Sequence, residues 1–176
     1  MEAGDINPWL FQVEPYQGES LSHFLGRFRR ANELTPAGLG KAARLGGAIA
    51  VGGALPIARW EKFRFNPPPS RQQLEALAKV VGVDADRLAQ MLPPAGVGMK
   101  IEPIRLCGAC YAQSPCHKIE WQFKVTQECD SHHLRLLSEC PNCGAKFKVP
   151  ALWVDGHCQR CFLTFAQMTN YQKYCS

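Results

Sequence analysis

The chain has 176 residues, 46% of them hydrophobic, and a formal charge of +5 at pH 7. That length allows one large domain or two small ones, and the composition supports a folded core. The closest approach to a membrane span, Leu45 to Ile57, is too short and too rich in Gly and Ala. Met1 to Gly26 lacks the basic start and apolar run of a secretion signal, so a cytoplasmic protein with no membrane partner is expected.

The first segment is acidic and aromatic. Met1 to Gly26 carries four acids and no Lys or Arg, and residues 7–16 read N-P-W-L-F-Q-V-E-P-Y. Its prolines favour extended backbone. Trp9, Leu10 and Phe11 read either as a strap on the body or as an anchor for a partner, and the anchor is preferred because Trp and Phe are frequent hot-spot residues. Ser20 is a good N-cap, and Leu21, Phe24, Leu25 and Phe28 recur at helical spacing, which predicts a helix ending near Asn32. His23 reads as a local hydrogen-bonding residue. Thr35-Pro36 opens a second helix, with Thr as cap and Pro in the first turn. Gly46 to Pro56 holds four glycines and reads as a connection. Trp60 and Phe63 restart an apolar pattern that Asn66-Pro67-Pro68-Pro69 ends.

Arg27 to Arg64 is the concentrated basic region, with eight Lys or Arg against Glu33 and Glu61. Arg27, Arg29, Arg30, Arg59, Lys62 and Arg64 could meet nucleic-acid phosphates or an acidic partner. They could equally be the solvated faces of helices.

Ser70 to Gln73 fits a capping box before Leu74, Leu77, Ala78 and Val81. Gly82 breaks that helix, and Asp84 caps another carrying Leu88, Met91 and Leu92. The pair resembles a helix-turn-helix. Its second helix offers Arg87 and Gln90 but sets Asp84 and Asp86 at the end that would face the groove. Phosphates repel those acids, so packing or protein contact is favoured over base reading. Pro93 to Gly98 reads as a linker. It divides a mainly α domain over residues 1–98 from a small α+β tandem zinc-finger or zinc-ribbon domain over residues 99–176.

The second domain carries the strongest signal. C107-G-A-C110, C129-D-S-H132, C140-P-N-C143 and C158-Q-R-C161 are four ligand pairs, each with two residues between its members. Two such pairs complete one tetrahedral zinc site, so two Zn2+ sites are expected. Sequential pairing puts Cys107, Cys110, Cys129 and His132 on the first ion and Cys140, Cys143, Cys158 and Cys161 on the second. Cross-bracing and a disulfide scaffold are the alternatives. Filled coordination leaves no open position, which argues against a catalytic metal. His133 competes with His132 for a place. With the thiolates counted, the loaded protein carries about +2, too little to coat nucleic acid by bulk charge. No phosphate loop, G-x-S-x-G or H-E-x-x-H is present, so no enzyme is expected.

Pro15-Tyr16-Gln17-Gly18-Glu19-Ser20-Leu21-Ser22, then Leu25, Arg27 and Asn32, followed by the four ligand pairs with Trp121, Leu134 and Leu137 between them, resemble the TniQ family of transposition target-selection proteins. The blocks Gly18 to Asn32, Arg59 to Asn66 and Leu88 to Tyr111 are similar to the short TniQ proteins of type V-K CRISPR-associated transposons. That resemblance implies a non-enzymatic adaptor. It would link an RNA-guided effector, with its guide-RNA scaffold and target DNA, to the AAA+ ATPase TnsC, and cap the TnsC filament. The contrasting reading of the same residues is a sequence-specific helix-turn-helix and zinc-ribbon transcription regulator.

Overall fold

The computed structural model describes residues 11–46 and 53–175. Leu21–Ala31 forms α1, Pro36–Gly46 α2, Ile57–Trp60 α3, Arg71–Val81 α4, Ala85–Ala89 α5 and Gly108–Gln113 α6. Short 3-10 turns follow at Ile119–Gln122, Pro150–Leu152 and Gln167–Tyr171.

The helices begin and end where side-chain chemistry dictates. Ser20 accepts from the His23 amide, and Asn32 closes α1. The Thr35 hydroxyl accepts from the Gly38 amide at 3.0 Å, so α2 has the expected cap. Ser70 and Gln73 form a reciprocal capping box on α4. Gly82 ends that helix at φ +70°, a left-handed position that glycine takes without steric cost. Asp84 precedes α5 but its side chain makes no capping bond.

Leu21, Phe24, Leu25 and Phe28 of α1 meet Leu39, Trp60, Leu74, Leu77, Val81 and Leu88 in one apolar core. A second core holds Ile104, Leu106, Trp121, Trp153, Phe165 and Met168 together with buried cysteines, and it recruits Phe63 from the helical half.

The expected α+β character of the second half is corrected. Among the described residues it contains only isolated bridges, including Leu106 with Leu137, Glu128 with Arg135, Glu139 with Lys146 and His157 with Thr164. The reversals at Cys129, Cys140 and Cys158 each close within a few residues, so the ladders they open stop at one bridge. The molecule is mainly helical with few strands.

Helix α1 sits between the two cores. An added Cβ on Gly26 would lie 2.3 Å from the Ala151 carbonyl oxygen, so only glycine permits this approach. The Ser22 hydroxyl donates to the Glu61 carbonyl at 2.6 Å and accepts from the Ala151 amide at 3.2 Å. The Ser20 amide donates to the His117 carbonyl at 2.8 Å. His117 Nδ1 meets the Ser20 hydroxyl at 2.9 Å.

Candidate metal centres

Three of the four ligand pairs rest on one backbone turn. The amide of His133 donates to the Cys129 carbonyl at 2.7 Å, and the Cys129 amide donates to Leu134 at 2.9 Å. Gly144 and Ala145 do the same around Cys140, as do Phe162 and Leu163 around Cys158. The fourth residue after each cysteine is left-handed: His133 at φ +53°, Gly144 at +69° and Phe162 at +62°. This turn aims both members of a pair at one point. Around Cys107 the chain continues instead into α6, which starts from Cys107 as its cap.

The turns bring the eight residues into two groups. Ligand atoms of Cys107, Cys110, Cys129 and His132 all lie within 4.8 Å of one another, as do those of Cys140, Cys143, Cys158 and Cys161. Within the first, Cys110 Sγ is 3.1 Å from Cys129 Sγ and 3.3 Å from His132 Nδ1. Within the second, the Cys140–Cys161 and Cys143–Cys158 sulfur pairs are each 3.5 Å apart. A zinc tetrahedron with ~2.3 Å bonds has edges of about 3.8 Å, so both groups fit that ion. Disulfides need sulfurs at about 2.05 Å, and all nine cysteines are unbridged. The grouping follows the sequential order, not the cross-braced one.

One thiol of each group ionises most readily. A hydrogen bond from Cys110 pulls Cys107 down to about 5, and one from the Asn142 side chain pulls Cys161 down to about 6. Thiolates are the form that binds metal. The other histidines and cysteines have different places. The His133 side chain is 72% exposed, 3.9 Å from Glu128. His157 pairs with Asp155 at 3.6 Å. Burial pushes Cys116 up to about 11, which keeps it an inert thiol.

The basic band is divided by the fold. Arg27 forks onto Glu19 at 2.9 and 2.7 Å and stacks over the Tyr16 ring. Arg29 forks onto Glu61 at 2.5 and 3.0 Å. Arg30 donates to the carbonyls of Ala151 at 2.5 Å and Trp153 at 2.8 Å. These three guanidiniums hold the body together, because α1 is enclosed on both sides and its polar groups must be paired there. Arg59, Lys62 and Arg64 are exposed. Of the aromatic tail, Trp9 and Leu10 lie outside the described residues. Phe11 is 57% exposed, and its backbone is bonded to the Asn32 amide group.

Sequence reasoning missed two features. Glu19 is buried beneath Arg27 and His23, with His23 Nδ1 at 2.5 Å. Burial alone would raise its carboxyl, but the bonds from His23 and Arg27 outweigh that and hold it low. The Glu19-x3-His23-x3-Arg27 spacing, one turn apart each time, was the available signal. Trp153 carries no such signal. Its ring packs against those of His23, Tyr111, His117, Phe147 and Phe165 at 4.7–6.4 Å between centroids. It thereby ties α1 to both metal centres.

The TniQ family model matches residues 10–136. This chain belongs to the TniQ family. TniQ proteins are accessory factors of transposition, generally without catalytic activity of their own. The match takes in α1 to α6 and the first cysteine–histidine group and stops before Cys140. No curated protein matches the chain. No helix among the described residues is long and apolar enough to cross a membrane.

Proposed function

We propose that this TniQ protein is a non-enzymatic adaptor in RNA-guided DNA transposition, linking an effector, its guide-RNA scaffold and target DNA to the filament of a TnsC-type AAA+ ATPase. The family match over residues 10–136 carries this reading. The two cysteine–histidine groups are assigned as closed zinc centres, the second in a ribbon-like knuckle. They supply a rigid surface in a region that has no long helix or sheet to supply one. The chain is assigned a helical unit over residues 1–98 and a zinc unit over 99–176; the existence of two cores supports this, with Phe63 of the first unit reaching into the second core.

The ATPase contact is assigned to the tail at Trp9, Leu10 and Phe11. Exposure of Phe11 supports it, since a strap packed onto the body would be covered. Contact with nucleic acid or an acidic partner is assigned to Arg59, Lys62 and Arg64, the exposed part of the basic band. The α4–α5 pair keeps its reading as a helix-turn-helix used for protein contact. Arg87 donates to the Pro15 carbonyl at 2.8 Å, and Asp86 pairs with Arg71. Base reading by α5 would have to break the first of these bonds.

Co-sedimentation with the TnsC-type ATPase on double-stranded DNA and ATP tests the reading. Pelleting that requires the filament, and that Trp9→Ala weakens without loss of helicity, is the expected result. Sequence-dependent pelleting with DNA alone, lost in Arg87→Ala, would replace the adaptor with a transcription regulator.

A further inference from the structure

The second cysteine group builds a groove outside the family-matched region. Residues 145–148, 152–154 and 156–160, with Phe165, enclose about 330 Å3. That is the lower end of ligand-pocket size, enough for one large side chain and part of a neighbour. Phe147, Trp153 and Phe165 form its floor, with the Trp153 and Phe165 rings 4.7 Å apart and edge-on. Leu152 and Val154 stand at its mouth, 50% and 61% exposed. Phe162, 69% exposed, does not line the groove itself but packs on His157, which does, with ring centroids 5.3 Å apart.

Phe162 occupies a costly position. It is the left-handed residue of its knuckle, the place that Gly144 fills in the sister turn of the same centre. A bulky side chain is strained there and gains little when exposed. The backbone needs only glycine. His133 shows that a non-glycine residue is tolerated at this position, so what the ring adds is exposed aromatic surface beside the groove-lining His157.

The rim is basic. Lys146, Lys148 and Arg160 line the groove. Neither lysine side chain has a hydrogen bond or ion pair among the described residues, and Arg160 makes a single long contact, 3.5 Å, to the Cys143 carbonyl. Asp155, beside the rim, is paired with His157. Lys146, Phe147 and Lys148 also border a second groove with Glu102 and Glu139, and the Glu139 backbone bridges that of Lys146, but neither carboxylate forms an ion pair with these lysines among the described residues.

We propose that this groove docks an extended peptide segment of a protein partner in which a bulky apolar side chain is flanked by carboxylates. The apolar floor takes the side chain, Phe162 extends the apolar surface from His157 at the groove's edge, and the three cations meet the acids. Nucleic acid fits less well. Trp153 is buried and edge-on, and the mouth is aliphatic, so Phe162 alone offers a face for stacking. The inference stands independently of the adaptor reading.

The test is selection of random short peptides displayed on phage against the full zinc-loaded chain. Enrichment of Trp, Phe or Leu between Asp or Glu residues is expected. A selected synthetic peptide should bind less tightly as salt rises, and the triple charge reversal of Lys146, Lys148 and Arg160 to Glu should weaken it by roughly tenfold or more. Phe162→Gly keeps the turn and both metals, so weaker binding by that variant isolates the ring from the fold. No enrichment, enrichment of basic peptides, or binding untouched by both changes would overturn the proposal. Displacement of the peptide by an oligothymidine that binds more tightly through the same residues would overturn it too.

Discussion

Between Leu21 and Met91 the chain is held by burial of aliphatic and aromatic side chains on helices with defined caps. Between Cys107 and Met168 a somewhat shorter stretch of chain has almost no regular structure. It is held by two cysteine–histidine groups, repeated knuckles and an aromatic block around Trp153. The first half packs its apolar side chains on helices; the second packs them between knuckles whose cysteine and histidine side chains could hold two metal ions. The seam between them is made of α1, Gly26, Arg30 and Trp153, and its polar groups are nearly all paired. The difference teaches that one short chain can present two kinds of surface, a helical one and a knuckle-built one, in fixed relation.

Metal removal should separate the halves most sharply. Structural zinc contributes on the order of 10 kcal/mol or more to small metal domains. A strong chelator is expected to abolish the near-ultraviolet signal of Trp121 and Trp153 while most far-ultraviolet helicity persists. Loss of both signals together would show that the helical half depends on the metals as well.

Truncating the seam should come next. Trp153→Ala removes the ring shared by α1 and both metal centres and should cost ~3–5 kcal/mol in chemical denaturation. Leu77→Ala, deep in the helical core, should cost a similar ~2–5 kcal/mol. Only the seam variant should also speed metal release to a chelator. Equal release rates would deny Trp153 its bridging role.

Acid should act through the seam. Burial holds His117 far below its ordinary range, and burial also lowers His23 despite its Glu19 partner. Their folded pKa values are depressed, so the unfolded chain takes the proton first. The stability they permit is full above the unfolded pKa of ~6.5 and declines as pH falls below it. Denaturation midpoints should therefore drop between about pH 7 and 5, and His117→Gln should flatten the decline. An unchanged slope in that variant would take His117 out of the account and leave His23 and ligand protonation as the causes. The smallest effect belongs to Ser70→Ala, which removes the α4 cap for about 1 kcal/mol and should leave metal release untouched.

The helical half was legible because its signals are local. Ser20, Thr35, Ser70 and Gly82 mark helix ends through bonds made within four residues, and the apolar spacing of Leu21 to Phe28 names the buried face. The ligand pairs were legible for the same reason. What stayed hidden was long-range. Arg29 and Arg30 looked like part of a basic face because Glu61 and the Ala151 carbonyl reach them only after folding. The expected strands did not form because each knuckle closes on itself, which a count of residues between pairs does not reveal.

The central claim is that two closed zinc centres shape the second half, and native mass spectrometry of the purified protein tests it most directly. The account predicts two zinc ions with every cysteine reduced, one ion in His132→Ala, and two in His133→Ala. A mass lowered by disulfide formation without zinc, or full loading of the His132 variant, would contradict it.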